Sequence, residues 1–260
     1  ELLVAALYGE ARYDGVVHIA IEGVPLDDIP IDAVFDTSRP VPVAITVDPG
    51  QVFTLGNVAL RGDAAHLAPA RYGLMPGGDA GSNVILKAET DIVTALKEEG
   101  RPLARIAGRE VVADHATRTL DVTLNVSAGP VAPYGQTSVA GTEAVDSDFV
   151  AYMTGLPPGR TYSPKEIEEA RERLLALEVF SSVSVREADA LDAGGAIPMN
   201  VQVSERKHRY LGAGATFSST EGLGLEGYWG HRNLFGRAEK LRIQGSISRI
   251  GSGLKRLSYN

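Results

Sequence analysis

His231-Arg232-Asn233-Leu234-Phe235-Gly236-Arg237-Ala238-Glu239-Lys240-Leu241 is a polar, glycine-containing turn between two alternating runs. Before it, Leu223, Leu225 and Trp229 alternate with Gly224, Glu226, Tyr228 and Gly230. After it, Leu241, Ile243 and Ile247 alternate with Lys240, Arg242, Gln244, Ser246 and Ser248. An earlier run sets Leu211, Ala213, Ala215 and Phe217 against Tyr210, Gly212, Gly214 and Thr216. A period of two describes strands with two unlike faces. Each run is about ten residues, the length a tilted strand needs to cross a bilayer. Periodicity alone fits a three-stranded soluble meander equally well.

Upstream the sequence repeats itself. Val41/Val43/Ile45/Val47, Leu120/Val122/Leu124/Val126 and Ile197/Met199/Val201/Val203 alternate strictly and predict strands with one buried face. Val47 and Val126, Gly50 and Gly129, and Val52 and Val131 are each 79 positions apart. A spacing held without gaps through a joint indicates duplicated modules. Gly73-Leu74-Met75-Pro76-Gly77 in one module corresponds to Gly155-Leu156-Pro157-Pro158-Gly159 in the next.

A strand is expected over residues 53–60 and a short helix over 66–72. A second helix, capped near Ser82, should bury Ile85, Ala88, Ile92, Ala95 and Leu96. Ser163-Pro164-Lys165-Glu166 reads as a capping box with Pro at the first helical position, followed by Ile167, Ala170, Leu174 and Leu177 on one face. Strand pairs are expected at 103–113 with 118–127 and at 181–188 with 196–205. Residues 2–8 read as a helix, and 16–21 and 41–47 as strands joined by a Pro- and Asp-rich loop. The expected division is 1–49, the C-terminal part of a first module; 50–129 and 130–206, complete modules; and 207–260, three strands of a larger sheet. The sequence starts with Glu inside a helix and stops after the third strand, so both ends read as interior to a longer chain.

Composition narrows the chemistry. A formal net charge of −8 argues against nucleic acid, which requires a basic footprint. No Lys- or Arg-rich block marks an anionic lipid surface. Without cysteine there are no disulfides and no thiolate chemistry. His18, His66, His115, His208 and His231 lack metal-ligand spacing, and no phosphate-loop pattern occurs. The carboxylates of 166–172 read as a solvated helix face. No catalytic residue, metal or cofactor is expected, and no enzymatic activity.

The order strand, helix, helix, strand, strand, in modules of about 75–80 residues with a Gly-Leu-x-Pro-Gly repeat, resembles the POTRA domain. Asn233-Leu234-Phe235-Gly236-Arg237 resembles the Asn-Leu-Phe-Gly signature after the second barrel strand of the outer-membrane assembly superfamily, which joins periplasmic POTRA domains to a sixteen-stranded barrel. The resemblance covers essentially the whole chain. The three modules make it most similar to the TamA-like branch, the outer-membrane subunits of translocation and assembly modules. The implied fold class is α+β: tandem POTRA domains followed by the first strands of an antiparallel transmembrane β-barrel.

This resemblance implies a bacterial outer-membrane location, with POTRA domains in the periplasm. Residues 218–222 would be an extracellular turn, and Arg232, Asn233, Leu234, Phe235, Gly236 and Arg237 the first periplasmic turn. Arg232 and Arg237 would hold that turn to the last module, contact lipid headgroups, or simply be solvated. Phe235 is expected to be buried. Leu211, Gly212, Ala213, Gly214 and Ala215 would lie on the strand that closes the barrel, with its glycines weakening the seam. Gly73, Leu74, Pro76, Gly77, Gly155, Leu156, Pro158 and Gly159 mark the repeat loops. Unfolded outer-membrane protein clients, such as autotransporters, would pair with open strand edges at 16–21, 103–113 or 181–188. The other implied partners are a TamB-like inner-membrane-anchored subunit and outer-membrane lipid. An export pore of the two-partner-secretion type and a soluble periplasmic scaffold are the competing functions.

Overall fold

The structure is a computed structural model that describes residues 2–35, 38–218 and 222–250. The chain forms two compact units, residues 1–130 and 131–260. No helix among the described residues is long and apolar enough to cross a membrane, which bears on helices alone.

The first unit begins with α1 (Leu2–Gly9), β1 (Val16–Ile21), β2 (Val24–Pro25) and β3 (Val43–Asp48), the strands forming an antiparallel sheet in the order β2-β1-β3. The expected buried face of β3 is not buried. Val43, Ile45 and Val47 are 55%, 54% and 41% exposed. They pair with Ile21, Ile19 and Val17, but α1, two turns long, leaves β3 uncovered. β1 is also not an open edge, because β2 and β3 flank it.

Next come β4 (Thr54–Gly62), a 3-10 turn at Pro69–Tyr72 in place of the longer expected helix, α2 (Ser82–Glu98), β5 (Arg105–Asp114) and β6 (Thr119–Ser127). The sheet order is β4-β6-β5, parallel between β4 and β6 and antiparallel between β5 and β6. Leu120, Val122, Leu124 and Val126 of the central strand are buried against Ile85, Ala88, Ile92 and Leu96 of α2 in one core with Phe53 and Leu55. Ala95, turned toward the helix flank, is only half-buried. Burying each of the larger side chains stabilises the fold by roughly 1.5–3 kcal/mol before the entropy of ordering it is counted. Ser82 does not cap α2. Gly81 holds that position without a side-chain bond, and its N–H donates to Asp79 Oδ1 instead, 2.8 Å away.

The second unit repeats this arrangement with β7 (Tyr134–Ala140), α3 (Ser147–Met153), α4 (Pro164–Ala176), β8 (Phe180–Glu187) and β9 (Ile197–Glu205), in the order β7-β9-β8. Ile197, Met199, Val201 and Val203 are buried, as are Ala170 and Leu174, while Ile167 and Leu177 are half-buried. The capping box does not form. Ser163 is the N-cap of α4 and Pro164 takes the first helical position, but the Ser163 side chain makes no cap bond. Glu166 turns instead to Arg160, whose Nε lies 3.1 Å from Oε2. The Ser163 backbone is served by Tyr134, whose hydroxyl donates to its carbonyl and accepts its N–H, both at 2.9 Å. Burial pushes the Tyr134 phenol up to about 12.

The unit ends in an antiparallel sheet in the order β10-β11-β12, formed by β10 (Arg209–Ser218), β11 (Gly222–His231) and β12 (Leu241–Ile250). The expected turn at 218–222 lies largely outside the described residues.

Candidate functional site

The second unit contains the joint between the β7–β9 module and the β10–β12 sheet. β9 ends in Glu205, whose side chain is only 4% exposed. Its Oε1 accepts the backbone N–H groups of Glu143, Ala144 and Val145 at 2.7, 3.1 and 2.9 Å. Burial on its own would raise the Glu205 pKa, but the three N–H donors and nearby His208 outweigh it and hold the carboxyl below its ordinary value. His208 Nε2 lies 2.8 Å from Glu205 Oε2 without hydrogen-bond alignment, so this contact is a charge pair only when the imidazole is protonated.

The turn at 231–241 grips the same loop from the other side. Asn233 is 5% exposed. Its carboxamide donates to the Ala144 carbonyl at 2.9 Å and accepts the Ala238 N–H at 3.0 Å. The Asp146 N–H donates to the Gly236 carbonyl at 2.8 Å, while the Asp146 side chain caps α3 through the Phe149 N–H. Gly236 has a φ of +100°, which a side chain would strain. Glu239 closes the turn internally by accepting the Phe235 and Arg237 N–H groups at 3.1 and 3.0 Å. Lys240 reaches Glu178, just beyond α4, at 2.9 Å.

The turn residues therefore divide. Asn233 and Gly236 hold the module. Arg232 stays on its own sheet, stacked 4.1 Å over the Tyr210 ring and donating to the Lys207 carbonyl. Arg237 is exposed, and among the described residues neither arginine makes a hydrogen bond or ion pair to the 143–146 loop. Phe235, expected to be buried, is 81% exposed, and Leu234 is 40% exposed. The turn is fixed by Asn233 and Glu239 through polar bonds, so it needs no apolar anchor. Glu205, Ala144 and Asp146 had no sequence signal, because backbone amides carry no residue identity.

The β10–β12 register gives each face a consistent character. Leu211, Trp229 and Ile243 are cross-strand partners, as are Ala215, Leu225 and Ile247. Leu211, Phe217, Ile243 and Ile247 are 81%, 80%, 61% and 65% exposed. The other face sets Tyr210, Gly230 and Arg242 in one row and Gly212, Tyr228 and Gln244 in the next. A Cβ on Gly212 would overlap the Tyr228 ring, and one on Gly230 the Tyr210 ring. The rings lie over these glycines and carry Arg232 and Arg242, the latter 4.1 Å above Tyr228. Gly212 of β10 and Gly230 of β11 are thus ring seats in a ladder paired along the length of β10. Gly214 likewise faces Glu226, and Ala213 pairs with Gly227.

The two repeat loops do the same structural work, each in its own module. Leu74 and Leu156 plug their cores at 1% and 4% exposure. The Gly77 N–H donates to the Leu55 carbonyl and the Gly159 N–H to that of Tyr134, at 2.6 and 2.8 Å. The Leu55 and Tyr134 N–H groups donate back to Gly78 and Arg160 at 2.9 and 2.7 Å. Gly73, Gly77, Gly155 and Gly159 all have positive φ, and Pro76 and Pro158 stand before the second glycine of each loop. Each loop covers the start of one sheet edge, at β4 or β7. β5 and β8 remain as the opposite edges. Beside β5 lies a cavity of about 490 Å³ lined by Tyr8, Tyr13, Ile85, Leu86, Val111 and His115.

No protein-family model matches the sequence, and no curated protein matches it. Among solved structures, the chain is similar to BamA from Haemophilus ducreyi lacking POTRA domains 1–3, with a TM-score of 0.60 and 14% identity over 75% of this chain and 37% of that one. It is also similar to POTRA domains 3–5 of BamA from Haemophilus influenzae, with a TM-score of 0.60 and 19% identity over 77% of this chain and 76% of that one. The chain therefore spans 37% of the length of the first of these structures. The likeness is one of fold: the α+β modules are POTRA folds, and the neighbours include POTRA domains and a barrel.

Proposed function

We propose that this chain is the periplasm-to-membrane portion of an outer-membrane protein assembly factor that works without covalent chemistry. The observation that carries this reading is the union in one unit of a POTRA-fold module and a strand sheet with one exposed apolar face, clamped together through Asn233 and Glu205. Water penalises such a face and a bilayer accommodates it, while the ladder satisfies the backbone.

In this account the modules stand in the periplasm and the β10–β12 sheet begins a barrel in the outer membrane. Extended client chains add to the β5 or β8 edge through main-chain hydrogen bonds, with little demand on sequence. β10 has an unpaired edge among the described residues and is the strand where a barrel would open to template a client strand. The finer assignment is a TamA-like factor with autotransporter clients and a TamB-like inner-membrane-anchored partner at the first module. It rests on the three-module count and the Asn-Leu-Phe-Gly turn.

The test is a cysteine cross-link from β10 to the last barrel strand of the full protein, made in cells. Client insertion should stop when the seam is locked and resume on reduction. Insertion that continues with the seam locked would refute templating at β10.

A further inference from the structure

We propose that the end of the β10–β12 sheet nearest the Asn233 turn is a binding site for anionic phospholipid headgroups. The proposal rests on the reading above that the apolar face lies in a bilayer. The chain as a whole is acidic, at −8, and its basic run Arg206-Lys207-His208-Arg209 is short. Folding nevertheless brings the basic residues of 206–209 and 232–242 to one end of one sheet.

These cations differ in what they already hold. Arg206 Nε donates to the Phe180 carbonyl. Arg232 and Arg242 lie over tyrosine rings, and Lys240 pairs with Glu178. Glu205 and Glu239, the acidic residues nearest in sequence, accept backbone N–H groups. Lys207, Arg209 and Arg237 are exposed, and among the described residues no carboxylate pairs with them within 4 Å.

Arg209 has the most telling place. Its cross-strand partner is His231, and His231 pairs on its other side with Leu241. The next row along the same face is Leu211, Trp229 and Ile243. Charge, interfacial aromatic and aliphatic side chains therefore follow one another along one face, as expected where a strand passes from the headgroup layer into hydrocarbon. An arginine in this position lays its methylenes along apolar surface and keeps its guanidinium among the headgroups. A planar guanidinium meets a phosphodiester with two parallel hydrogen bonds. Because Lys207 and Arg209 have no carboxylate within 4 Å among the described residues, a headgroup with net negative charge fits better than a zwitterionic one. A free phosphate would leave the aliphatic row uncovered.

The test is flotation of the chain with two kinds of vesicle: equal parts phosphatidylethanolamine and phosphatidylglycerol, or equal parts phosphatidylethanolamine and phosphatidylcholine. Binding should favour the first kind, and Arg209→Gln should reduce it by about fivefold, the effect of one basic side chain near an anionic surface. Arg209→Lys should retain the preference, which guards against a misfolded glutamine variant. Arg61→Gln in β4 is the equal-charge control and should retain it too. Equal binding of the wild-type chain to both vesicles overturns the headgroup site and leaves the membrane reading standing. Equal losses for Arg209→Gln and Arg61→Gln also overturn it. Binding to neither vesicle overturns the membrane reading, and this inference with it.

Discussion

The Asn233 carboxamide donates to the Ala144 carbonyl across 2.9 Å, joining two segments 89 residues apart in sequence. The same side chain accepts the Ala238 N–H, so one buried residue supports both the turn and the module it rests on. Replacing it with Ala leaves the Ala144 carbonyl and the Ala238 amide without these partners, at a cost of about 2–4 kcal/mol. Asn233→Ala should lower the unfolding midpoint of the second unit and speed hydrogen exchange at the Ala238 amide. Unchanged exchange there would mean that the bond does not hold the joint.

Glu205 should make the joint sensitive to acid. Its folded pKa is depressed, so its contribution is present above the ordinary glutamate value of 4.5 and is lost as pH falls through the folded value. Glu205→Gln should therefore be less stable than wild type at neutral pH. The gap should narrow as pH falls below 4.5, as denaturant titrations at several pH values would show. A gap independent of pH would assign the effect to packing rather than charge.

Gly212 and Tyr228 should be energetically coupled. Gly212→Ala in the wild-type background must displace the Tyr228 ring and the Arg242 stacked on it. In a Tyr228→Ala background the ring that the new methyl would meet is gone. A double-mutant cycle should show coupling of about 1 kcal/mol or more. Additive effects would contradict the ring-over-glycine packing.

Phe235 should tolerate substitution. At 81% exposure, Phe235→Ser should change unfolding stability by less than about 0.5 kcal/mol, against the much larger loss for Asn233→Ala. A large loss would show that the ring is buried against something the structure does not contain.

The strands and the long helix were legible because their cores follow simple periods. Leu120 to Val126 at period two, and Ile85, Ala88 and Ile92 at helical spacing, are buried as patterned. The same pattern misled at Val43 to Val47, since alternation records which face is apolar and not whether a helix covers it. Ser82 and Ser163 carry the right chemistry for caps, but Asp79 and Tyr134 supply the backbone bonds at those helix starts. The Asn233 turn could be located in the sequence, but its grip on Ala144 could not, because Ala144 contributes only a carbonyl. Lys207 and Arg209 are neighbours in sequence, but Arg237 joins them only because strand pairing brings the 231–241 turn to the same end of the sheet.

The central claim is that the β10–β12 sheet faces lipid on one side and a water-filled interior on the other. Because the chain has no cysteine, single cysteines can be placed at Leu211, Ile243 and Ile247 on one face and at Tyr228 and Gln244 on the other, each carrying a spin label. In vesicles, the account predicts that oxygen dissolved in the lipid relaxes the first three labels and that a water-soluble nickel chelate relaxes the other two. Access of the nickel chelate to labels on both faces alike would contradict it.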